Sequence, residues 1–432
     1  MGQTGVLTKH ERGTLRALCA IYASRLVGLY MVLPVLSPYA ARLSGATSLL
    51  IGLSLGAYGA TQAVLQIPFG YLSDRIGRRR AINLGLVLFA VGSLVAAAAR
   101  TAWLLVLGRA LQGSGAVSSV LIALIADLTR AEVRTQAMAR VGIWIGATFA
   151  LSVVVGPTVA GLFGVPVLFI ITAVGAVVSI VYMDIAIPNP PPLHPEERLH
   201  AADLLTVLRQ PPLLLIDAGI FLLHIIVTVL FVVMPFDLER IVGVGRTWMV
   251  LVPAVVVGLA IMRWMGRWSD RHHKTELVFF LGAGLLGLSC LVFALIERVA
   301  AATLIGLFVF VVAISTLEPV ITSLLSRFAH GPHRGTATGV FSMAQFAGAF
   351  FGGILGGAFL HRGQSTMFLG LFVLTLFWGV GLTRVGHLHP LEGGPAARRA
   401  LVGASADPPQ GGDERVEEVR ETEPQRSETG AT

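Results

Sequence analysis

Apolar residues run along this chain in blocks of about twenty, each closed by a short polar or charged segment. Twelve such blocks follow one another, at approximately 16–40, 48–71, 81–99, 101–126, 138–162, 166–187, 212–236, 248–266, 277–296, 299–325, 336–360 and 365–385. A helix advances ~1.5 Å per residue, so crossing ~30 Å of hydrocarbon takes ~20 mainly apolar residues. Each block therefore predicts a membrane-spanning helix, and together they predict an all-α membrane protein. The first block follows Lys9, Arg12 and Arg16, is too long for a secretory leader and has no small-residue cleavage site after it. It reads as an uncleaved first span.

Composition points the same way. Hydrophobic residues make up 55% of the 432 and charged residues 13%, with a mean hydropathy of +0.78. A soluble domain carries about 25% charged residues, and half that share does not coat a water-exposed surface. Cys19 and Cys290 both sit inside apolar blocks and read as small buried residues, with no disulfide framework or thiolate metal site. The net charge of +8 and a pI near 10.2 would suggest a nucleic-acid partner until the charges are placed. With the N-terminus inside, 24 of the 32 Lys and Arg fall on cytoplasmic segments and 6 on outside loops. That asymmetry predicts two cytoplasmic termini, in a cell inner membrane, with anionic lipid rather than nucleic acid as the partner. We call the Lys/Arg-rich side the basic face.

The longest loop between spans, 188–211, divides the blocks six and six. Gly70-Tyr-Leu-Ser73-Asp74-Arg75 closes span two, and Gly266-Arg-Trp-Ser269-Asp270-Arg271 closes span eight, 196 positions later. The same offset carries Gly156 to Gly352 and Gly161 to Gly357. Two distant motifs sharing one offset indicate a duplicated six-helix unit. The expected organisation is an N-terminal half over 1–187, a cytoplasmic linker over 188–211, a C-terminal half over 212–385 and a disordered cytoplasmic tail over 386–432. The tail is rich in Gly, Pro, Ser and Glu and has too few apolar residues to offset its ordering entropy.

Between spans two and three runs Gly70-Tyr-Leu-Ser-Asp74-Arg75-Ile-Gly77-Arg78-Arg79-Arg80. A carboxylate at a helix end beside arginines forms charge-assisted pairs, Gly77 allows the tight reversal, and Asp127 at the end of span four is a second partner. Arg79 and Arg80 read as plain basic anchors. This stretch resembles the loop motif of the major facilitator superfamily. Leu107-Gly108-Arg109-Ala-Leu-Gln112-Gly113-Ser-Gly115 is similar to that family's span-four motif, and Gly156-Pro157-Thr-Val-Ala160-Gly161 to its span-five antiporter motif. Gly28 followed by Pro34-Val35 is similar to the span-one motif of twelve-span drug exporters, and the YajR-type branch of proton-driven exporters is the nearest match. Ser152, Ala160 and Ser37 depart from the usual residues of these motifs, and the folded C-terminal domain of the YajR type is not expected here. The resemblance implies that Gly70, Asp74, Arg75, Gly77, Arg78 and Asp127 form a conformational switch. It also implies that Gly156, Pro157 and Gly161 pack span five closely against span eight.

Four ionisable residues lie deep within blocks: Arg25 in span one, Arg109 in span four, His224 in span seven and Glu318 in span ten. Charge in hydrocarbon costs at least ~2.5–3.5 kcal/mol, so each is a candidate for proton coupling or for the substrate cavity. The resemblance implies that these four spans line a central cavity. Glu318 is the first candidate proton carrier, because alternating exposure changes a carboxylate's proton affinity. His224 is the second, since an unperturbed imidazole titrates near pH ~6.5. Arg25 and Arg109 read equally as structural carbonyl clamps, and Asp217 and Asp184 as interfacial. No zinc-spaced His cluster, nucleotide-binding glycine loop or nucleophile motif is present, so neither an enzyme nor a cofactor or metal is expected. The expected function is proton-driven efflux of a small molecule by a monomer working through alternating access. Proton-coupled uptake, and a non-transporting sensor on the same scaffold, are the alternatives.

Overall fold

The computed structural model describes residues 7–130, 133–187, 208–243, 246–272, 274–295, 299–329, 334–361 and 363–384. The expected linker falls almost wholly outside the described residues, as does the expected tail from 386. Twelve described helices are long and apolar enough to cross a membrane. Span one is split into Lys9–Tyr30 and Leu33–Ala41, and span four into Ala102–Ser114 and Ser118–Asp127. The others are single helices: Ser48–Ile76, Arg78–Ala97, Arg134–Phe163, Val165–Ala186, Pro211–Val242, Trp248–His272, Thr275–Leu295, Ala300–Phe328, Arg334–Ala358 and Gln364–Arg384.

The two breaks have local causes. Pro34 sits in the first turn of the second piece of span one and has no N–H to continue the hydrogen-bond ladder. In span four the chain leaves helical geometry at Gly115, with ψ at 59°, and resumes at Ser118. Helix ends are marked by side chains that accept backbone N–H groups. Thr47 caps Leu50 at 3.2 Å, Thr101 caps Leu104 at 3.2 Å, and Thr8 with Glu11 forms a complete capping box. The N-terminal turn extends beyond the apolar block, and Glu11 holds Arg130 of the span four–five loop at 2.8 Å.

The six-helix duplication is visible in the packing. Gly156 in span five abuts the backbone of Met31 in span one, and Gly352 in span eleven abuts the backbone of Ile225 in span seven. The two repeats meet mainly in the half of the bundle away from the basic face. There Gly52, Gly56 and Gly59 of span two interlock with Phe346, Phe350, Gly353 and Gly357 of span eleven. Ser37 Oγ donates to the Phe231 carbonyl at 3.1 Å, and Arg42 reaches Glu239 at 3.5 Å. Toward the basic face, Gly142 and Gly146 of span five and Gly335 and Gly339 of span eleven face open space. The repeats are thus packed closely away from the basic face and more loosely at these four glycines toward it.

Candidate functional site

Glu318 lies past the middle of span ten, immediately before Pro319. Its side chain is partly exposed, and its carboxylate has no hydrogen bond or ion pair among the described residues. His224 is also partly buried, in span seven. Its Nδ1 is 3.1 Å from the Ile220 carbonyl, which only accepts, so Nδ1 carries a proton. Nε2 then accepts from the Gln345 amide of span eleven at 2.8 Å. Both ring nitrogens are satisfied by neutral partners, and the imidazole is held in one tautomer. Gln345 was missed by sequence reasoning, which searched for charge.

The two intramembrane arginines occupy a different place. Arg25 is 2% exposed and Arg109 0%. Arg25 donates to Ser118 Oγ at 2.5 Å, Tyr58 Oη at 2.9 Å, Gln62 Oε1 at 2.9 Å and the Gly115 carbonyl at 3.1 Å. Gly115 is where span four breaks, and its carbonyl accepts from the Val117 N–H at 2.8 Å as well as from this guanidinium. Arg109 donates to the Ser54 carbonyl at 3.1 Å and to Gln112 Oε1 at 2.8 Å, and lies 5.0 Å from the centre of the Tyr58 ring. Gln112 in turn donates to Ser93 at 2.7 Å. Every described acceptor is neutral. The arginines fasten spans one to four around Tyr58 and reach no open cavity, in keeping with the carbonyl-clamp alternative.

At the basic face, Arg78 gathers three partners: Asp74 at 2.7 Å, Ser73 Oγ at 2.5 Å and Asp127 at 3.2 Å. Gly77 ends span two and starts span three in one residue, with φ at +93°, a conformation open to glycine and strained for other residues. Gly70 contributes the carbonyl that Ser73 Oγ bonds at 2.6 Å. Arg75 stays outside the cluster, stacked 4.4 Å from the Tyr71 ring centre. Two expectations need correction here. Arg79 is no plain anchor: it reaches Asp184 at 2.9 Å and the Ile187 carbonyl at 3.3 Å, tying span three to span six, while Asn83 also bonds Asp184 at 3.0 Å. Asp217 is not interfacial but 8% exposed, with Oδ1 buried and unpartnered.

A cavity of about 160 Å³ opens between spans eight, nine and ten, lined by Met262, Met265, Thr275, Ser315, Pro319 and Ser323. It uses a face of span ten other than that of Glu318.

Most of the chain matches known proteins. It fits the Major Facilitator Superfamily over residues 18–262 and 218–409. It is 36% identical over 382 residues to the inner membrane transport protein YajR of Escherichia coli (strain K12), spanning 87% of this chain and 84% of that one. The chain belongs to the major facilitator superfamily. A tetracycline resistance protein, class B, of Escherichia coli is 35% identical over 114 residues, 26% of this chain and 27% of that one. The human organic anion transporter MFSD10 shares the fold, with a TM-score of 0.63 and 19% identity over 86% of this chain and 99% of that chain. Membership makes this a multi-pass membrane transporter and not an enzyme.

In this major facilitator, spans five and eight lie in contact, as the resemblance implied. Gly156 faces the backbone of Met31 at the break in span one, Pro157 is buried, Gly161 is exposed, and a Cβ on Gly142 or Gly146 would meet nothing within 4 Å. A close glycine-to-backbone approach between the repeats is made by spans two and eleven. A small residue is needed there because a Cβ on Gly353 would stand 2.7 Å from the Gly52 carbonyl oxygen.

Proposed function

We propose that this protein is a proton-driven exporter of a small, drug-like molecule in the cytoplasmic membrane. Its halves, 1–187 and 212–385, rock about a midplane site, with both termini and the 188–211 linker on the cytoplasmic side. The observation that carries the reading is Glu318: a partly exposed carboxylate within the bundle, with no hydrogen bond or ion pair among the described residues. An unpaired carboxylate in this setting is costly when charged and comfortable when protonated, so its proton load biases which facing state is favoured. With the basic face cytoplasmic, the arrangement described is the state that releases the proton inward and accepts substrate. Reprotonation from the outer side, after the halves rock, completes antiport. His224 and Gln345 hold the facing wall of spans seven and eleven in register, and the Asp74–Arg78–Asp127 cluster, already formed in the state open at the basic face, braces spans two, three and four as the halves rock. The local similarity to a tetracycline resistance protein supports efflux over uptake.

The test uses purified protein in proteoliposomes with a pH-sensitive dye inside and a panel of lipophilic cationic, anionic and neutral compounds. One compound should release protons from an acidic lumen, and Glu318→Gln should abolish that release while the protein stays monodisperse. Normal proton release by Glu318→Gln would remove Glu318 from the mechanism. Proton and substrate moving together would replace export with symport.

A further inference from the structure

The C-terminal half holds a second carboxylate that coupling through Glu318 does not use. Asp217 lies two turns into span seven, is 8% exposed, and makes no hydrogen bond or ion pair among the described residues. Among the described side chains, no neighbouring charge relieves it. Of those on the helices packed against span seven, span ten offers Glu318, span two offers Asp74 and Arg75, and the end of span one offers Arg42. Asp74 is taken by Arg78, Arg75 by Tyr71 and Arg42 by Glu239. Tyr58 is bonded to Arg25, and Tyr39 points to the Ala99 carbonyl at 3.5 Å. The described side chains of spans eleven and twelve include no ionisable group.

An ionised carboxylate left this way is far costlier than a neutral one, which needs only a single missing hydrogen bond. Asp217 also has a position. It shares a helical face with His224, seven residues and ~10.5 Å further along span seven. That face meets span eleven, where Gly348 closes on the backbone of Phe221 and on His224 Cβ. On the opposite side of span seven, Trp378 of span twelve donates its indole N–H to the Leu215 carbonyl at 3.2 Å and fills the notch left by Gly219. Asp217 is therefore buried near the basic face, on the side of span seven that carries Phe221 and His224 and meets span eleven.

We propose that Asp217 is a second proton-exchanging site of this transporter. In the state described it is a protonated carboxyl. When the first turns of span seven separate from spans ten to twelve, its O–H bond breaks, a water at the basic face takes the proton as hydronium, and the carboxylate is left hydrated. A full cycle then moves one proton on Glu318 and one on Asp217, each carboxylate taking its proton back from the outer side after the halves rock. This second proton rests on the proton-driven reading, but the first test of it does not.

Infrared difference spectra of the purified full-length protein, recorded across an acid-to-alkaline series, read the protonated carboxyl directly. Glu318→Gln removes the signal of Glu318. In that background a buried carboxyl C=O band should remain, fade as pH rises, and vanish entirely in Glu318→Gln/Asp217→Asn. Asn matches the shape of the neutral acid; Asp217→Ser serves if Asn does not yield monodisperse protein, and Asp217→Glu should restore a band. A band unchanged by Asp217→Asn overturns the proposal. So does a band that Asp217→Asn removes but that never titrates, which would make Asp217 a permanently neutral packing group. If the band titrates yet Glu318→Gln still couples normally, the Glu318 mechanism fails and the Asp217 site stands.

Discussion

Replacing Gly353 by alanine probes the seal between the repeats. The added Cβ would stand 2.7 Å from the Gly52 oxygen, 2.7 Å from Gly56 Cα and 2.8 Å from Gly56 N. All three are backbone atoms of span two, so no side chain can swing aside. The helices must part by roughly 0.7 Å before ordinary contact is regained. Over-packing of this kind costs ~1–3 kcal/mol. The cost falls only on the state in which spans two and eleven touch, so that state should lose roughly 5–150-fold in population against its alternative. Spin labels on Leu49→Cys and Phe351→Cys, read by pulsed electron resonance, measure the separation directly. The native Cys19 and Cys290 are both buried and stay unlabelled. Gly353→Ala should shift the distance distribution to longer values, while Gly370→Ala, whose Cβ meets nothing within 4 Å, should not. An unchanged distribution in Gly353→Ala would refute the interlock as the closing element.

The Arg78 cluster should respond unequally, because the Asp74 side chain is 6% exposed and that of Asp127 25%. Asp74→Asn should cost ~3 kcal/mol and Asp127→Asn about 1 kcal/mol or less, read from thermal midpoints in detergent. Arg79→Ala should lower the midpoint slightly, by ~0.5–1 kcal/mol for its partly exposed pair with Asp184, and Arg80→Ala should leave it unchanged. Gln345→Leu removes the donor to His224 Nε2 and should cost ~1–3 kcal/mol. Adding His224→Leu to it should then cost less than that substitution costs alone, a coupling that a double-mutant cycle measures.

The spans, the duplication and the Asp74–Arg78–Asp127 cluster were legible because each is a local pattern: an apolar run, a repeated motif, opposite charges beside a helix end. The splits in spans one and four were marked by Pro34 and Gly115, but a single proline or glycine in a long apolar run does not announce a break. What stayed hidden depends on rotation about helix axes. Arg25 and Arg109 look alike to Glu318 in a sequence, yet their donors turn inward to carbonyls, Gln62, Gln112 and Tyr58. Asp217, near the end of an apolar block, looked interfacial and turned into the bundle. Arg79 finds Asp184 105 positions away, a pairing that no spacing rule supplies. Gln345 was unmarked because a single neutral amide in an apolar helix carries no signal of its partner.

The central claim is that Glu318 couples proton movement to export, and substrate exchange separates coupling from binding. Using the compound that the proteoliposome panel identifies, one would measure labelled-substrate exchange and pH-gradient-driven accumulation side by side, in wild type and in Glu318→Gln. The account predicts that Glu318→Gln keeps exchange near the wild-type rate and loses accumulation. Accumulation that survives in Glu318→Gln would contradict it.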